Sequence, residues 1–307
     1  MFCRKCEDTL QLSGEAYQVI DNPTAEQKNN VGIVNCLNYL QRFLVPLCER
    51  YGSQADPLKS SLSAVQSIQQ SAVQPLVQSI IDAVTAIVVT MHQEKFEASL
   101  ETFKTVPQCS LYMRELQEFL SRVQKQFLSP FEQTEYMKNV AIEIAQEMCR
   151  FFILHATLLR PLSNHRRLCL AADCAQVELV MNILCDRLSD VGEPYLMLRS
   201  FRPLLVQSAE EIVSTCVQPG FCIPLSLIIQ LLISMSPEEL PSPHQSVGWS
   251  LTRYAEWFEN HPSEADRLSF LRGTVESYAQ HIIEQEKPQY AITYPLIMKL
   301  FEFSCSV

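Results

Sequence analysis

Cysteine, histidine and arginine are the residues of this chain whose types and spacing could do chemistry. Cys3 and Cys6 stand as C-x-x-C, half of a structural zinc site, which needs four ligands and usually a second such pair. The nearest second half is His165, Cys169 and Cys174, within "LLRPLSNHRRLCLAADCAQVELV" (158–180). Their spacing is not that of a zinc motif, and on a helix Cys169 and Cys174 point about 140° apart. The thiols read better as small apolar side chains of a packed interior. The six histidines, His92, His155, His165, His244, His261 and His281, are dispersed. His155 falls on an apolar stripe, where a hydrogen-bonded core imidazole is the simpler reading than a general base. The chain contains no P-loop, G-x-G-x-x-G, H-E-x-x-H or G-x-S-x-G. No catalytic, cofactor-binding or metal-ligating residue is assigned, and no cofactor is expected.

Two further constellations suit binding. Arg160-Pro161 and Arg202-Pro203 sit in similar apolar settings, "LLRPL" and "SFRPLL". Proline suits the boundary of a helix, and an arginine there can meet the partly negative carbonyl end. That structural reading competes with recognition of an acidic partner. His165, Arg166 and Arg167 follow at the expected start of a helix, where cations oppose the dipole; the spacing predicts solvated surface unless a carboxylate approaches from elsewhere. Trp249, Arg253 and Trp257 share a face at i, i+4, i+8, so the guanidinium can lie on an indole. With Tyr254 and Phe258, this group reads as the packed side of a short helix, with a partner-facing anchor as the other reading.

The elements that must position these residues are helical. Only 7 of 307 residues are glycine, where average usage gives roughly twenty, and hairpins, bulges and phosphate loops all draw on glycine. Ile33, Leu37, Leu40, Leu44 and Leu47 form one stripe after "DNPTAEQ", in which Thr24 and Gln27 have capping-box spacing; Pro46 is expected to end or bend that helix. Asp56-Pro57 opens a run from Leu58 through Val65, Ile68, Leu76, Ile80, Val84 and Ile87 to Met91. If continuous, its roughly 35 residues extend roughly 50 Å, with a kink expected at Pro75. Further stripes run from Tyr112 to Phe127, Val140 to Leu158 and Leu170 to Leu188, and helices are expected near 203–216, 224–235, 246–259, 263–286 and 289–304.

Charge and composition exclude function classes. With 34 acidic against 24 basic residues the net charge is −10, and nucleic-acid binding rests on Lys and Arg neutralising phosphates. The apolar run Phe221–Met235 is shorter than the roughly 20 residues of a membrane span, so direct membrane insertion is not expected. "MFCRKCEDTL" is charged from Arg4 to Asp8 and lacks the apolar stretch of a secretory leader. Residue 2 is Phe, and Cys305 is followed only by Ser306 and Val307, one residue short of a prenylation box. The 12 cysteines are therefore expected to be reduced.

A set of segments in consistent order carries a family resemblance: "VGIVN" (31–35), "TMHQEKF" (90–96), "CSLYMRELQEFLSRV" (109–123), "HATLLRPL" (155–162), "LCLAADCAQVEL" (168–179), "LRSFRPLL" (198–205), "WSLTRYAEWFENHPSEADRLSFLRG" (249–273) and "YPLIMKLFE" (294–302). Together they resemble the C-terminal part of the family of subunit five of the conserved oligomeric Golgi complex. The resemblance implies a peripheral vesicle tether on the cytosolic face of the Golgi that acts in retrograde traffic within the organelle. Its implied partners are the other tether subunits, especially subunit seven, together with vesicle fusion and coat machinery. Family members are longer and carry an N-terminal helical region, so the resemblance implies a fragment or truncated product here. None of the quoted segments is a catalytic signature.

The fold expected is all-α, an elongated rod of stacked antiparallel helical bundles. Three parts are expected: residues 1–105, residues 106–235 and residues 236–307, the last following the Pro/Ser-rich "MSPEELPSPHQS" (235–246). The expected function is a non-enzymatic scaffold, cytosolic and peripheral at the Golgi. The alternatives are a helical-repeat adaptor, which would need helix pairs at a period of about 40–47 residues, and a helical metal-dependent hydrolase.

Overall fold

The computed structural model describes residues 2–10, 19, 22–51, 56–94, 109–236, 240–285 and 289–304. The sequence-based boundary at 105/106, Cys305 and residues 237–239 of the Pro/Ser-rich segment lie outside the described residues. Among the described residues every regular element is helical: α1 (Phe2–Thr9), α2 (Ala25–Tyr51), α3 (Asp56–Val89), α4 (Leu111–Val123), α5 (Glu135–Thr157), α6 (Asn164–Leu184), α7 (Glu193–Leu204), α8 (Ala209–Cys216), α9 (Leu225–Ser234), α10 (Pro243–Ser246), α11 (Leu251–Asn260), α12 (Glu264–Glu284) and α13 (Tyr294–Ser304). A 3-10 turn, Thr90–His92, follows α3, and a π-helical turn, Gln124–Leu128, follows α4.

Local side chains account for several starts. The Thr24 backbone N–H donates to Gln27 Oε1 at 2.8 Å while the Gln27 N–H donates to Thr24 Oγ1 at 3.2 Å, which satisfies two donors at the head of α2. Ser208 and Glu211 repeat the arrangement ahead of α8, and Ser263 Oγ accepts the Asp266 N–H at the head of α12. Gly192 turns into α7 with φ 73°, a conformation that disfavours a Cβ. Pro46 does not end α2, which continues to Tyr51. A residue in proline's position costs one backbone bond and a steric adjustment, and α2 carries that cost within a long helix. Pro75 likewise lies inside the uninterrupted 34-residue α3.

The contacts divide the chain into two units that interleave along the sequence. The first comprises residues 1–87, 115–148 and 180–191; the second comprises 88–114, 149–179 and 192–307. This grouping differs from the three consecutive parts expected from the sequence, because α3, α4, α5 and α6 each contribute residues to both units.

In the first unit the stripe of α3 supplies Val65, Ile68, Val73, Leu76, Val77, Ile80 and Val84 to the core, joined by Val34 and Leu37 of α2, Leu116, Phe119 and Leu120 of α4, and Ile144 and Met148 of α5. Fully burying such side chains stabilises by about 1.5–3 kcal/mol each relative to exposure. Gln69 Nε2 donates to Asn38 Oδ1 at 2.6 Å within this interior. Asn35 ties α2 to the turn after the π-helix: its Nδ2 donates to the Pro130 carbonyl at 3.0 Å and its Oδ1 accepts the Glu132 N–H at 2.8 Å. By length and composition, α2 and the segment 56–92 are apolar enough to cross a membrane; the apolar side of α3 forms the core of this unit.

In the second unit α9 is buried on all sides from Ser226 to Ser234, packed against α8, α12 and α13. A helix apolar around its circumference belongs in an interior, and this is the run that was too short for a membrane span. Its two serines are tied to neighbouring segments: Ser226 N–H and Oγ donate to the Glu264 carboxylate at 2.7 and 2.8 Å, and Ser234 Oγ donates to the Thr157 carbonyl at 2.6 Å.

Candidate functional site

The Arg160-Pro161 junction, a cis peptide bond, lies between α5 and α6 in the second unit. Arg160 sends Nη1 to the Leu240 carbonyl at 2.6 Å and Nη2 to the Ser236 carbonyl at 3.2 Å. Its guanidinium therefore caps the chain leaving α9. A planar fork with several donors suits two carbonyls at once. Arg202-Pro203 differs: Pro203 lies inside the last turn of α7 and Arg202 is exposed.

The solvated reading of His165, Arg166 and Arg167 is corrected. Arg166 is only 7% exposed and donates to the carbonyls of Arg160, Pro161 and Glu94 at 2.8, 3.2 and 3.0 Å. Arg167 donates to the Gln207 carbonyl at 2.7 Å and to Asn164 Oδ1 at 2.8 Å. Backbone carbonyls do for these cations what the dipole argument sought from a carboxylate, and the Glu94 side chain adds a favourable charge near Arg166. His165 Nε2 lies 3.7 Å from Cys169 Sγ, one turn away.

Two buried polar clusters surround this junction, and both were missed as clusters in the sequence. Asp173 is fully buried on α6 and accepts from Ser110 N–H at 3.0 Å, Ser110 Oγ at 2.6 Å and Tyr112 Oη at 2.8 Å. Burial raises its pKa, and the three donors pull the other way. Glu94 Oε1 accepts the Tyr112 N–H at 2.8 Å, so two carboxylates hold the head of α4, where its dipole favours anions. His155 is also fully buried; its Nδ1 lies 3.0 Å from His92 Nε2, with the Phe151 ring 4.9 Å away. Burial, and then the neighbouring rings, push His155 down to about 3; burial, His244 and Arg166 push His92 down to about 4. Both imidazoles are neutral at pH 7.

The thiols are inert interior groups for the most part. Burial pushes Cys185 up to about 11 and Cys216 up to about 12, and raises Cys169 and Cys174; reactivity belongs to the thiolate. Among the described residues no group of three or more His, Cys, Asp or Glu side chains is placed to hold a metal ion.

The aromatic group packs α11 against α12. Tyr254 and Phe258 are buried, Trp257 lies 4.5 Å from Phe270 between ring centres, and Arg253 lies over Trp249 at 4.8 Å. The indoles are partly buried, so packing uses most of this surface.

Exposed apolar surface is found instead on α2. Tyr39, Phe43, Leu47 and Tyr51 recur every four residues and are 63, 55, 39 and 50% exposed. Leu47, assigned by periodicity to the inner stripe, thus faces outward. Asn35, Cys36, Tyr39, Leu40 and Phe43 line an open apolar cleft of about 470 Å³ on this helix. Contiguous exposed apolar side chains are a feature of protein interaction surfaces.

Comparison with known proteins gives one consistent answer. The chain is similar to subunit 5 of the conserved oligomeric Golgi complex from Mus musculus, with 40% identity over 311 residues covering 100% of this chain and 37% of the mouse protein. The subunit of the same name from Drosophila melanogaster is 30% identical over 98% of this chain and 41% of its own length. That from Arabidopsis thaliana is 26% identical over 97% of this chain and 36% of its own length. The chain thus spans about two fifths of the length of the curated relatives it matches. No family model and no solved structure matches it.

Proposed function

We propose that this chain, related along its whole length to part of subunit 5 of the conserved oligomeric Golgi complex, acts as a non-enzymatic piece of a Golgi vesicle-tethering assembly. It joins other tether subunits by packing helix against helix and performs no reaction of its own. The observation that carries this reading is the 40% identity of an alignment that spans the whole chain, since homology confined to one motif would speak only for that motif. The structure adds support. Arg160 and Asp173 are engaged by backbone and side-chain partners within the chain, while α2 turns aromatic side chains outward.

In finer terms, the direct partner is subunit seven, and vesicle fusion and coat proteins are reached through the assembly. The site of action is the cytosolic face of Golgi membranes, where the tether supports retrograde transport that keeps glycosylation enzymes in their cisternae. The test is affinity isolation of the tagged chain from cells. Recovery of the other tether subunits is expected. A clean isolate lacking all of them, when a longer relative handled identically recovers them, contradicts the reading.

A further inference from the structure

Within the first unit, α1 is fixed beside the start of α2: Asn29 Nδ2 donates to the Thr9 carbonyl at 3.0 Å. Cys6 is buried in a cluster with Leu37, Val65 and Ile68, and Cys3, Ile33 and Leu40 pack against that cluster. Cys36 follows Ile33 by three residues and precedes Leu40 by four, so the three share one face of α2. That places Cys36 at the rim of the surface α1 covers. Unlike Cys6, it is exposed, and it opens onto the cleft bounded by Tyr39 and Phe43.

We propose that Cys36 and the Cys3-x-x-Cys6 pair form an oxidisable thiol site, at which a small disulfide oxidant is reduced and an intramolecular disulfide closes between Cys36 and an α1 cysteine, stapling α1 to α2. Cys3 and Cys36 each act electrostatically on Cys6, which accords with Cys36 lying on the side of α2 that faces α1. Burial raises the Cys6 thiol, Cys3 is half-buried, and Cys36, the exposed one of the three, is the first nucleophile. With glutathione disulfide as oxidant, the Cys36 thiolate attacks one sulfur, forming a Cys36–glutathione bond and expelling one glutathione thiolate, which takes up the proton Cys36 lost. An α1 thiolate then attacks the Cys36 sulfur and expels the second glutathione, which takes up the second proton. Two protein thiols are oxidised by two electrons, and one glutathione disulfide becomes two glutathione molecules. A C-x-x-C pair one helical turn apart offers either sulfur to Cys36.

The test uses the full chain, incubated with glutathione disulfide, alkylated and mapped without reduction by mass spectrometry. Cleavage after Arg4, Lys5, Lys28 and Arg42 separates Cys3, Cys6 and Cys36 onto different peptides. A peptide carrying Cys36 joined to that carrying Cys3 or Cys6 is expected, lost in Cys36→Ser and kept in Cys48→Ser. Cys36 left as a mixed disulfide with both α1 thiols alkylated overturns the proposal, as does a disulfide confined to Cys3 and Cys6.

Discussion

His92 Nε2 stands 3.0 Å from His155 Nδ1 in the interior of the second unit. The two imidazoles share a hydrogen bond, and burial keeps both rings neutral at pH 7 in the folded chain. Their pKa values, about 4 and about 3, lie below the unfolded value of about 6.5. The unfolded chain therefore binds more protons below pH 6.5, and stability falls as pH falls. Each ring removes up to about 1.4 kcal/mol per pH unit until its folded pKa is reached. Asp173 and Glu94, raised by burial, act in the opposite sense and regain stability as they protonate. Denaturant unfolding from pH 7 to 4.5 is expected to show a decline that is shallower in His155→Gln. A profile unchanged by that substitution contradicts the pairing.

Asp173 holds three donors in a site it shares with no solvent. Asp173→Ala leaves the Ser110 N–H and two hydroxyls without their acceptor, at a cost of about 3 kcal/mol or more. Asp173→Asn keeps one acceptor oxygen, and the hydroxyls can turn to accept from the amide, so its cost is lower, about 1 kcal/mol. Urea unfolding midpoints should rank wild type above Asn above Ala.

Arg160 joins the end of α5 to the chain leaving α9 through two carbonyls. Arg160→Lys supplies a point charge without the fork, so it should recover only part of what Arg160→Ala loses, about 2 kcal/mol. Hydrogen exchange should report faster exchange around residues 240–246 in both variants. Equal exchange in all three proteins would sink the assignment.

The two faces of α2 give a direct contrast. Leu37 is fully buried while Tyr39 and Phe43 are more than half exposed. Leu37→Ala should cost about 2–5 kcal/mol, whereas Tyr39→Ser with Phe43→Ser should change stability by about 1 kcal/mol or less. Thermal unfolding of the two variants checks the orientation of the helix.

Much of this was legible from residue patterns, and the exceptions have physical causes. The capping pairs Thr24/Gln27 and Ser263/Asp266 act within one turn, so spacing alone reveals them, as do the long stripe of α3 and the helix from Leu225 to Ser234. Periodicity placed Leu47 inward because it reads the spacing of apolar residues and not which side has a neighbour. Arg166 looked solvent-facing because its carbonyl acceptors lie on Glu94, Arg160 and Pro161, one of them 72 residues away. His92 and His155 are 63 residues apart, and no local rule pairs them. The one local hint of the Asp173 site was a carboxylate set among small apolar residues in "CLAADCAQ". The division into units was least legible, since four helices serve both.

The central claim, that this chain works by helical association within a Golgi tether, is tested most directly by mixing purified chain with separately purified tether subunits and measuring mass by sedimentation velocity. A complex with another subunit, subunit seven foremost, formed at micromolar concentration is the result the account expects. Sedimentation of the chain as an unchanged species beside every subunit, with its helical content intact, would contradict it.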